Sequence, residues 1–243
     1  MSTVNRTTIN NNLMLYIDPA NPNSYVGSGS GCTDLSRSKI LIMSLVNGTS
    51  YSNSNNGIFT FDGIDDIVQS DVTMNGKIVQ EMSFDVWFRR TQDMNTFNMV
   101  FTCGQLPYIA FRGAAAGVNE NKFLFSYFTK ISGVNTQRTL HSTNTYSNNI
   151  WYNVVCTLSQ NITTQVSQSK MYINGVLDTT LTYGSSVDEI SQPSLSARLT
   201  VGNYTTVLYP FKGDVGPFKM YNKILSVDEV LNNYNIIKSR FGL

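Results

Sequence analysis

One histidine, His141, serves the whole of a 243-residue chain. A Ser/His/Asp or Cys/His triad would have to be built on it, and a histidine-rich metal site is excluded outright. No serine sits in a G-x-S-x-G elbow. Glutamate is almost as scarce: Glu81, Glu120, Glu189 and Glu229 are scattered. No stretch carries the alternating Glu-x-Asp-x-Glu pattern that sets two carboxyl groups on one face of a strand, as β-sandwich glycoside hydrolases require. Asp85 is the only acid inside a strong strand pattern, and one carboxylate cannot be both acid and base. The chain is therefore expected not to be an enzyme.

Other shortages narrow the class further. Charged residues make up 14% of the chain, against roughly 25% in an average globular protein. Seventeen basic and sixteen acidic residues leave a formal charge of +1, and no Lys/Arg run could track a phosphate backbone. Nucleic acid is not an expected partner. No apolar run reaches a membrane span, and the opening MSTVNRTTINNN lacks the order of a signal peptide. Cys32, Cys103 and Cys156 are an odd number without the paired spacing of zinc or redox motifs, so buried free thiols are expected. The run Gly27-Ser28-Gly29-Ser30-Gly31 lacks the Lys-Ser/Thr of a phosphate-cradling loop. Sequons at Asn5, Asn47, Asn161 and Asn203 reflect the abundance of Asn and Thr.

What the chain does contain is Ser, Thr and Asn, about a third of all residues, and aromatics at 12%. That mixture suits strands, turns and neutral hydrogen-bonding surfaces. Short alternating runs follow one another: Leu13 to Ile17, Ile58 to Phe61, Ile67 to Gln69, Asn98 to Thr102, Tyr108 to Phe111, Lys122 to Phe128, Thr136 to Ser142 and Arg198 to Asn203. Ile40 to Val46 is a short strand or a buried loop segment. In Met82 to Arg90, one face holds Met82, Phe84, Val86 and Phe88, and the other Ser83, Asp85, Trp87 and Arg89. Trp151 to Leu158 and Lys170 to Leu177 are strand-like, the second split by Asn174-Gly175, the dipeptide of a type I′ hairpin turn. Phe211 to Tyr221 contains Pro217, which marks an edge, a bulge or a strand start. The single helix expected begins at the capping box Ser226-Val227-Asp228-Glu229, with Val227, Val230, Leu231, Tyr234 and Ile237 at helical spacing. The spacing of strands predicts an all-β sandwich or barrel.

Asp62, Asp65 and Asp66, between two predicted strands, form the best candidate metal cluster, because Ca²⁺ takes several oxygens gathered by a turn. A purely structural turn around Asp62-Gly63 is the simpler reading. No ligand-binding residue can be named, and Trp87 is expected to be at least partly covered.

Several segments resemble one family, the laminin-G-like jelly rolls of the concanavalin A-like lectin/glucanase superfamily. They are Leu13 to Asp18 with Asn21 to Tyr25, Thr33 to Ser36, and Phe59-Thr60-Phe61-Asp62-Gly63-Ile64-Asp65-Asp66-Ile67. Met82 to Trp87, Trp151 to Val154, Met171 to Gly175, Gly213 to Val215 and Met220 to Asn235 complete the resemblance. Cys32 stands where the family often has Trp, and Gly216 where it is often acidic. The second departure weakens a calcium site by analogy. The resemblance implies a two-sheet antiparallel jelly roll with a short C-terminal α-helix, residues 13–243 as a single domain behind a polar arm of residues 1–12. It also implies a non-enzymatic virion structural protein, a capsid decoration, neck or tail-fibre component. Such a protein would attach to other virion proteins, associate with its own copies and display a glycan-binding face. The alternatives are a lectin-like module for host-surface adsorption and a glycoside hydrolase of the same superfamily.

Overall fold

A run such as Met82 to Phe88 cannot hide its apolar stripe alone, and its period-2 side chains oblige it to pair edge to edge within a sheet. The computed structural model describes residues 10–39, 41–74, 80–94, 96–103, 107–161, 163–184, 189–191, 198–204 and 209–243. In chain order its strands are β1 (Leu13–Ile17), β2 (Gly31–Cys32), β3 (Met43–Val46), β4 (Ser50–Ser52), β5 (Ile58–Asp62), β6 (Ile67–Thr73), β7 (Glu81–Arg90) and β8 (Phe97–Cys103). They continue with β9 (Tyr108–Arg112), β10 (Phe123–Ile131), β11 (Val134–His141), β12 (Tyr152–Asn161), β13 (Val166–Ile173), β14 (Val176–Tyr183), β15 (Glu189–Ser191), β16 (Arg198–Val201) and β17 (Lys212–Tyr221). One α-helix, α1 (Val227–Ile237), and a 3₁₀ turn over Lys238–Phe241 close the chain.

The strands form two antiparallel sheets. The first runs β14-β13-β12-β7-β17-β5-β4, with β1 also on β17; the second runs β11-β10-β9-β8-β16-β6-β3-β2, with β15 on β10. The expected all-β jelly-roll sandwich is what the chain adopts. Between the sheets lies one large core, which takes Met82, Phe84, Val86 and Phe88 from β7, Val154, Cys156 and Leu158 from β12, and Phe101, Phe111, Phe123 and Phe125 from the second sheet. All three cysteines are buried and free, and burial pushes the Cys32 thiol up to about 12.

Several local expectations become more definite. Trp151 to Thr180 spans the greater part of three neighbouring strands, β12 to β14, with Asn174 and Gly175 at positive φ in the turn. A second two-residue turn, Ser132-Gly133 at φ 48° and 80°, joins β10 to β11. Of Ile40 to Val46, residues 43–46 form β3, and Ile40 lies outside the described residues. So do residues 1–9 of the N-terminal arm, including the sequon at Asn5. Pro217 sits in a central strand, tolerated because the pairing of β17 with β7 shifts register between Val215 and Phe218. The segments flanking the acidic turn belong to different sheets: β5 pairs β17 and β4, whereas β6 pairs β16 and β3. The turn is a corner where the chain crosses the sandwich.

The face of β7 opposite the core is also buried, because the end of the chain covers it. The Trp87 ring stacks on Tyr234 (5.6 Å, 1°) and Phe241 (4.8 Å, 21°), and Trp151 tilts onto Phe241 at 4.2 Å. Gly216 belongs to this contact, since a Cβ there would come within 2.7 Å of the Phe241 ring. The helix starts as expected, with the Ser226 hydroxyl accepting from the Glu229 N–H and the Glu229 carboxylate accepting from the Ser226 N–H. No helix among the described residues is long and apolar enough to cross a membrane.

Candidate ligand-binding surface

On the outer face of the first sheet α1 and the C-terminal turn cover the Trp87 side of β7, whereas the outer face of the second sheet carries a cluster of half-buried rings. Alternation decides which side chains reach it. Ile109, Phe111, Phe123, Phe125 and Leu140 point into the core, so Tyr108, Ala110, Leu124 and Ser126 point outward. Met99, Ala110 and Leu124 form a small buried floor, and the half-buried rings of Phe97, Tyr108, Tyr204 and Tyr209 pack on it. Phe97 and Tyr209 meet edge to face at 5.3 Å, and Tyr204 and Tyr209 lie 6.3 Å apart. This ring cluster is a platform with one side open.

Its supports are polar and buried. The Asn203 side-chain carbonyl accepts from the backbone N–H groups of Tyr204 and Tyr209 at 2.8 and 3.3 Å. The Asn203 carbonyl accepts from the Thr200 hydroxyl, which also meets the Thr102 hydroxyl at 2.9 Å. Asn203, the first residue of a sequon, is thus fully buried. The Met99 N–H donates to the Tyr209 carbonyl, tying the platform to β8. The exposed Gln137 amide donates to the Tyr108 hydroxyl at 3.3 Å and to Ser126 at 2.8 Å. Burial pushes the hydroxyls of Tyr108 and Tyr204 up, so both remain neutral donors.

Basic groups flank the rings. The Arg112 guanidinium lies 4.1 Å from the Phe97 ring centre, a cation–π contact, and its buried Nε has no hydrogen-bond partner. His141 ends β11 opposite Leu124. Its imidazole is held below its usual value by burial and by the nearby charges of Arg112 and Lys122. No carboxylate among the described residues pairs with Arg112 or Lys122 within 4.0 Å.

The other candidates are placed differently. Asp85 is occupied: it lies 3.5 Å from the Lys219 ammonium and accepts from the side-chain amides of Asn153 (2.7 Å) and Asn233 (3.4 Å), all four residues being buried. It is an internal tether between α1 and the sheet. Asp214 is held by Arg89 and Thr60. A cavity of about 630 Å³ beside Asn10 to Met14, Arg37, Ser38 and Asn222 has, among the described residues, no carboxylate, imidazole or aromatic ring in its wall. A second, of about 330 Å³ near Tyr146 and Asp178, has its carboxylate already accepting from Thr143 and Tyr146. Asp62, Asp65 and Asp66 do come together, each with an oxygen within 4.8 Å of the others; they are the described residues able to hold a metal ion.

None of the four ring residues was identifiable from the sequence. Phe97, Tyr108, Tyr204 and Tyr209 are spread over more than a hundred positions, and only strand pairing together with the fold of the loop between β16 and β17 brings them together.

Comparison with known proteins agrees with this architecture. A laminin G-type family described as the concanavalin A-like lectin/glucanases superfamily matches residues 62–231, and the chain belongs to that family. No curated protein matches the sequence. Among solved structures, the receptor-binding domain of botulinum neurotoxin type G is 13% identical and overlaps 93% of this chain and 51% of its own, with a TM-score of 0.61. The binding domain of Paraclostridial Mosquitocidal Protein 1 is 13% identical over 93% and 52%, with a TM-score of 0.65. The ligand-binding domain of botulinum neurotoxin serotype D, in complex with N-acetylneuraminic acid, is 14% identical over 93% and 51%, with a TM-score of 0.63. The chain spans about half the length of each. At such identities the likeness is one of fold.

Proposed function

We propose that this chain is a non-enzymatic, lectin-like binding module that takes a glycan on the outer face of its second sheet. The observation that carries the reading is the platform of Phe97, Tyr108, Tyr204 and Tyr209. Apolar faces of sugar rings stack on aromatic rings, while hydroxyl groups are met by neutral donors and acceptors such as Tyr108 and Gln137. Arg112, Lys122 and His141 beside the platform favour an acidic sugar, because a carboxylate would supply the partner that Arg112 lacks. The solved structures of similar fold support the class: they are a receptor-binding domain, a ligand-binding domain in complex with N-acetylneuraminic acid and a further binding domain. The tethering of Asp85 by Lys219 and two asparagines supports a non-catalytic role.

Calorimetric titration with sialyllactose and lactose, alongside a glycan array, tests this. Sialyllactose is expected to bind more tightly than lactose. Tyr209→Ala should weaken both by at least tenfold, and Arg112→Gln should remove the preference for the acidic sugar. Absence of binding to every glycan on the array would overturn the reading.

The virion setting implied by the sequence resemblance is a proposal about place. There the module would attach through another surface to capsid or tail proteins, and repeated copies would multiply weak glycan contacts. Mass spectrometry of purified particles decides it; a chain absent from them is not a virion component.

A further inference from the structure

We infer that two copies of this chain pair through the edge of β14, antiparallel about a two-fold axis at Thr180, so that the first sheet runs on from one copy into the other. The first sheet ends at β14, which among the described residues pairs only with β13, and the second ends at β11, which pairs only with β10. The opposite edges are blunted by their length: β4 has three residues and β2 has two, against eight in each of β14 and β11. A long edge strand leaves a row of backbone N–H and C=O groups to be met from outside. Val176-Leu177-Asp178-Thr179-Thr180-Leu181-Thr182-Tyr183 contains neither the proline nor the lysine that commonly protects such an edge.

The strand is complementary to itself. Its pairing with β13 skips Asp178, since Leu177 lies opposite Tyr172 and Thr179 opposite Met171. This bulge takes the only charged side chain of β14 out of the ladder, and the Asp178 carboxylate is tied back by the Thr143 N–H at 2.7 Å and the Tyr146 hydroxyl at 3.2 Å. Of the eight residues seven positions remain, with Thr180 in the middle. Val176, Thr179, Leu181 and Tyr183 share the core side with Ile173 and Met171 of β13, and Leu177, Thr180 and Thr182 lie on the outer side. An antiparallel copy centred on Thr180 sets Thr180 against Thr180, Thr179 against Leu181, Leu177 against Thr182 and Val176 against Tyr183, both members of each pair on one face. A register shifted by one residue mismatches the faces, and one shifted by two leaves an end of the strand unpaired.

A second copy meets what this edge presents. Val176 is 65% and Leu177 45% exposed, an apolar end that Tyr183 and Thr182 of the second copy cover. Arg138 of β11 holds the Tyr183 ring in place, its guanidinium 3.9 Å from the ring centre. Charge does not oppose the approach: the formal charge of the chain is +1. Lys170, opposite Thr180 on β13, stands three strand spacings, about 14 Å, from its counterpart, beyond the screening length of ordinary buffers. The other long edge, β11, suits self-pairing less, because Arg138 near its middle brings like charges together. A β14 edge about 27 Å long on a two-layer body about 20 Å thick covers roughly 500 Å² on each copy, near the lower limit of specific interfaces, so a micromolar dimer is expected. An axis normal to the sheet leaves the outer faces of both second sheets on the same side. On the glycan reading, and resting on it, the dimer would turn two ring platforms toward one surface.

Sedimentation velocity of the full chain, from micromolar to sub-millimolar concentration and without any glycan, is expected to show a monomer–dimer equilibrium. Its failure is therefore separate from failure of the glycan reading. Thr180→Lys places two ammonium groups face to face at the axis and should raise the dimer Kd at least tenfold, while Tm stays that of the parent because Thr180 is exposed. Thr180→Cys sets two Cα atoms about 4.5–5.5 Å apart, within disulfide reach, so oxidised glutathione should yield a covalent dimer. The three native thiols are buried and take no part. Thr182→Cys, four ladder positions from its counterpart, should stay uncrosslinked. The Thr180→Cys crosslink decides if Thr180→Lys does not fold. A chain monomeric at every concentration, a dimer unchanged by Thr180→Lys, or Thr182→Cys crosslinking as readily as Thr180→Cys overturns the inference.

Discussion

Lys219 and Asp85, both at most 2% exposed, show how much a single residue can matter in this fold. Among the described residues their charges are met by each other, by the amides of Asn153 and Asn233, and by the Tyr16 ring 5.1 Å from the ammonium. Removing one partner strands the other. Lys219→Met is expected to cost about 3–5 kcal/mol, measurable as a lower urea midpoint. At His141 the effect depends on pH. Its folded-state pKa lies below the ordinary 6.5, so the unfolded chain takes up a proton first as pH falls. Stability is therefore lost as pH drops below about 6.5, until the folded imidazole also titrates. The difference in unfolding free energy between the parent and His141→Gln, followed from pH 8 to pH 5, should change in that window; a constant difference would contradict the assignment.

At the scale of elements, the C-terminal helix and turn decide which part of the first sheet's outer face is covered. Phe241 lies against both tryptophans of the chain, so emission reports directly on the seal. Phe241→Ala should cost about 3 kcal/mol and shift Trp fluorescence to the red, while glycan binding on the opposite sheet is unchanged. Ser226→Ala should cost about 1 kcal/mol through the lost cap, without the shift. The helix was legible in advance because caps and helical spacing are local signals. Its docking site was not: the Ser83, Asp85, Trp87 side of β7 looked half-polar, and only the arrival of Asn233, Tyr234 and Phe241 makes it an interior.

For the whole molecule, the order of pairing matters most. The first strand, β1, pairs with the last, β17. Arg240 ties the chain end to Asp18 at 2.7 Å and to the carbonyls of Asn55 and Gly57. Contacts this distant in sequence must be closed against chain entropy, so refolding from urea should take milliseconds to seconds. A microsecond relaxation in stopped-flow or temperature-jump experiments would contradict that topology.

The alternation of Met82 to Phe88, the Asn174-Gly175 turn and the Ser226 capping box determined by themselves a chain of strands with one hairpin and one terminal helix, an all-β sandwich or barrel. The two-sheet antiparallel jelly roll was implied by the family resemblance. Those three signals are short-range preferences, written in neighbouring residues. Tertiary structure alone decided that β5 and β6 part to different sheets, that β14 lies at a sheet edge, and that four distant aromatic rings share one open face. Those facts depend on which strand lies beside which, and strand pairing joins residues that no local pattern connects.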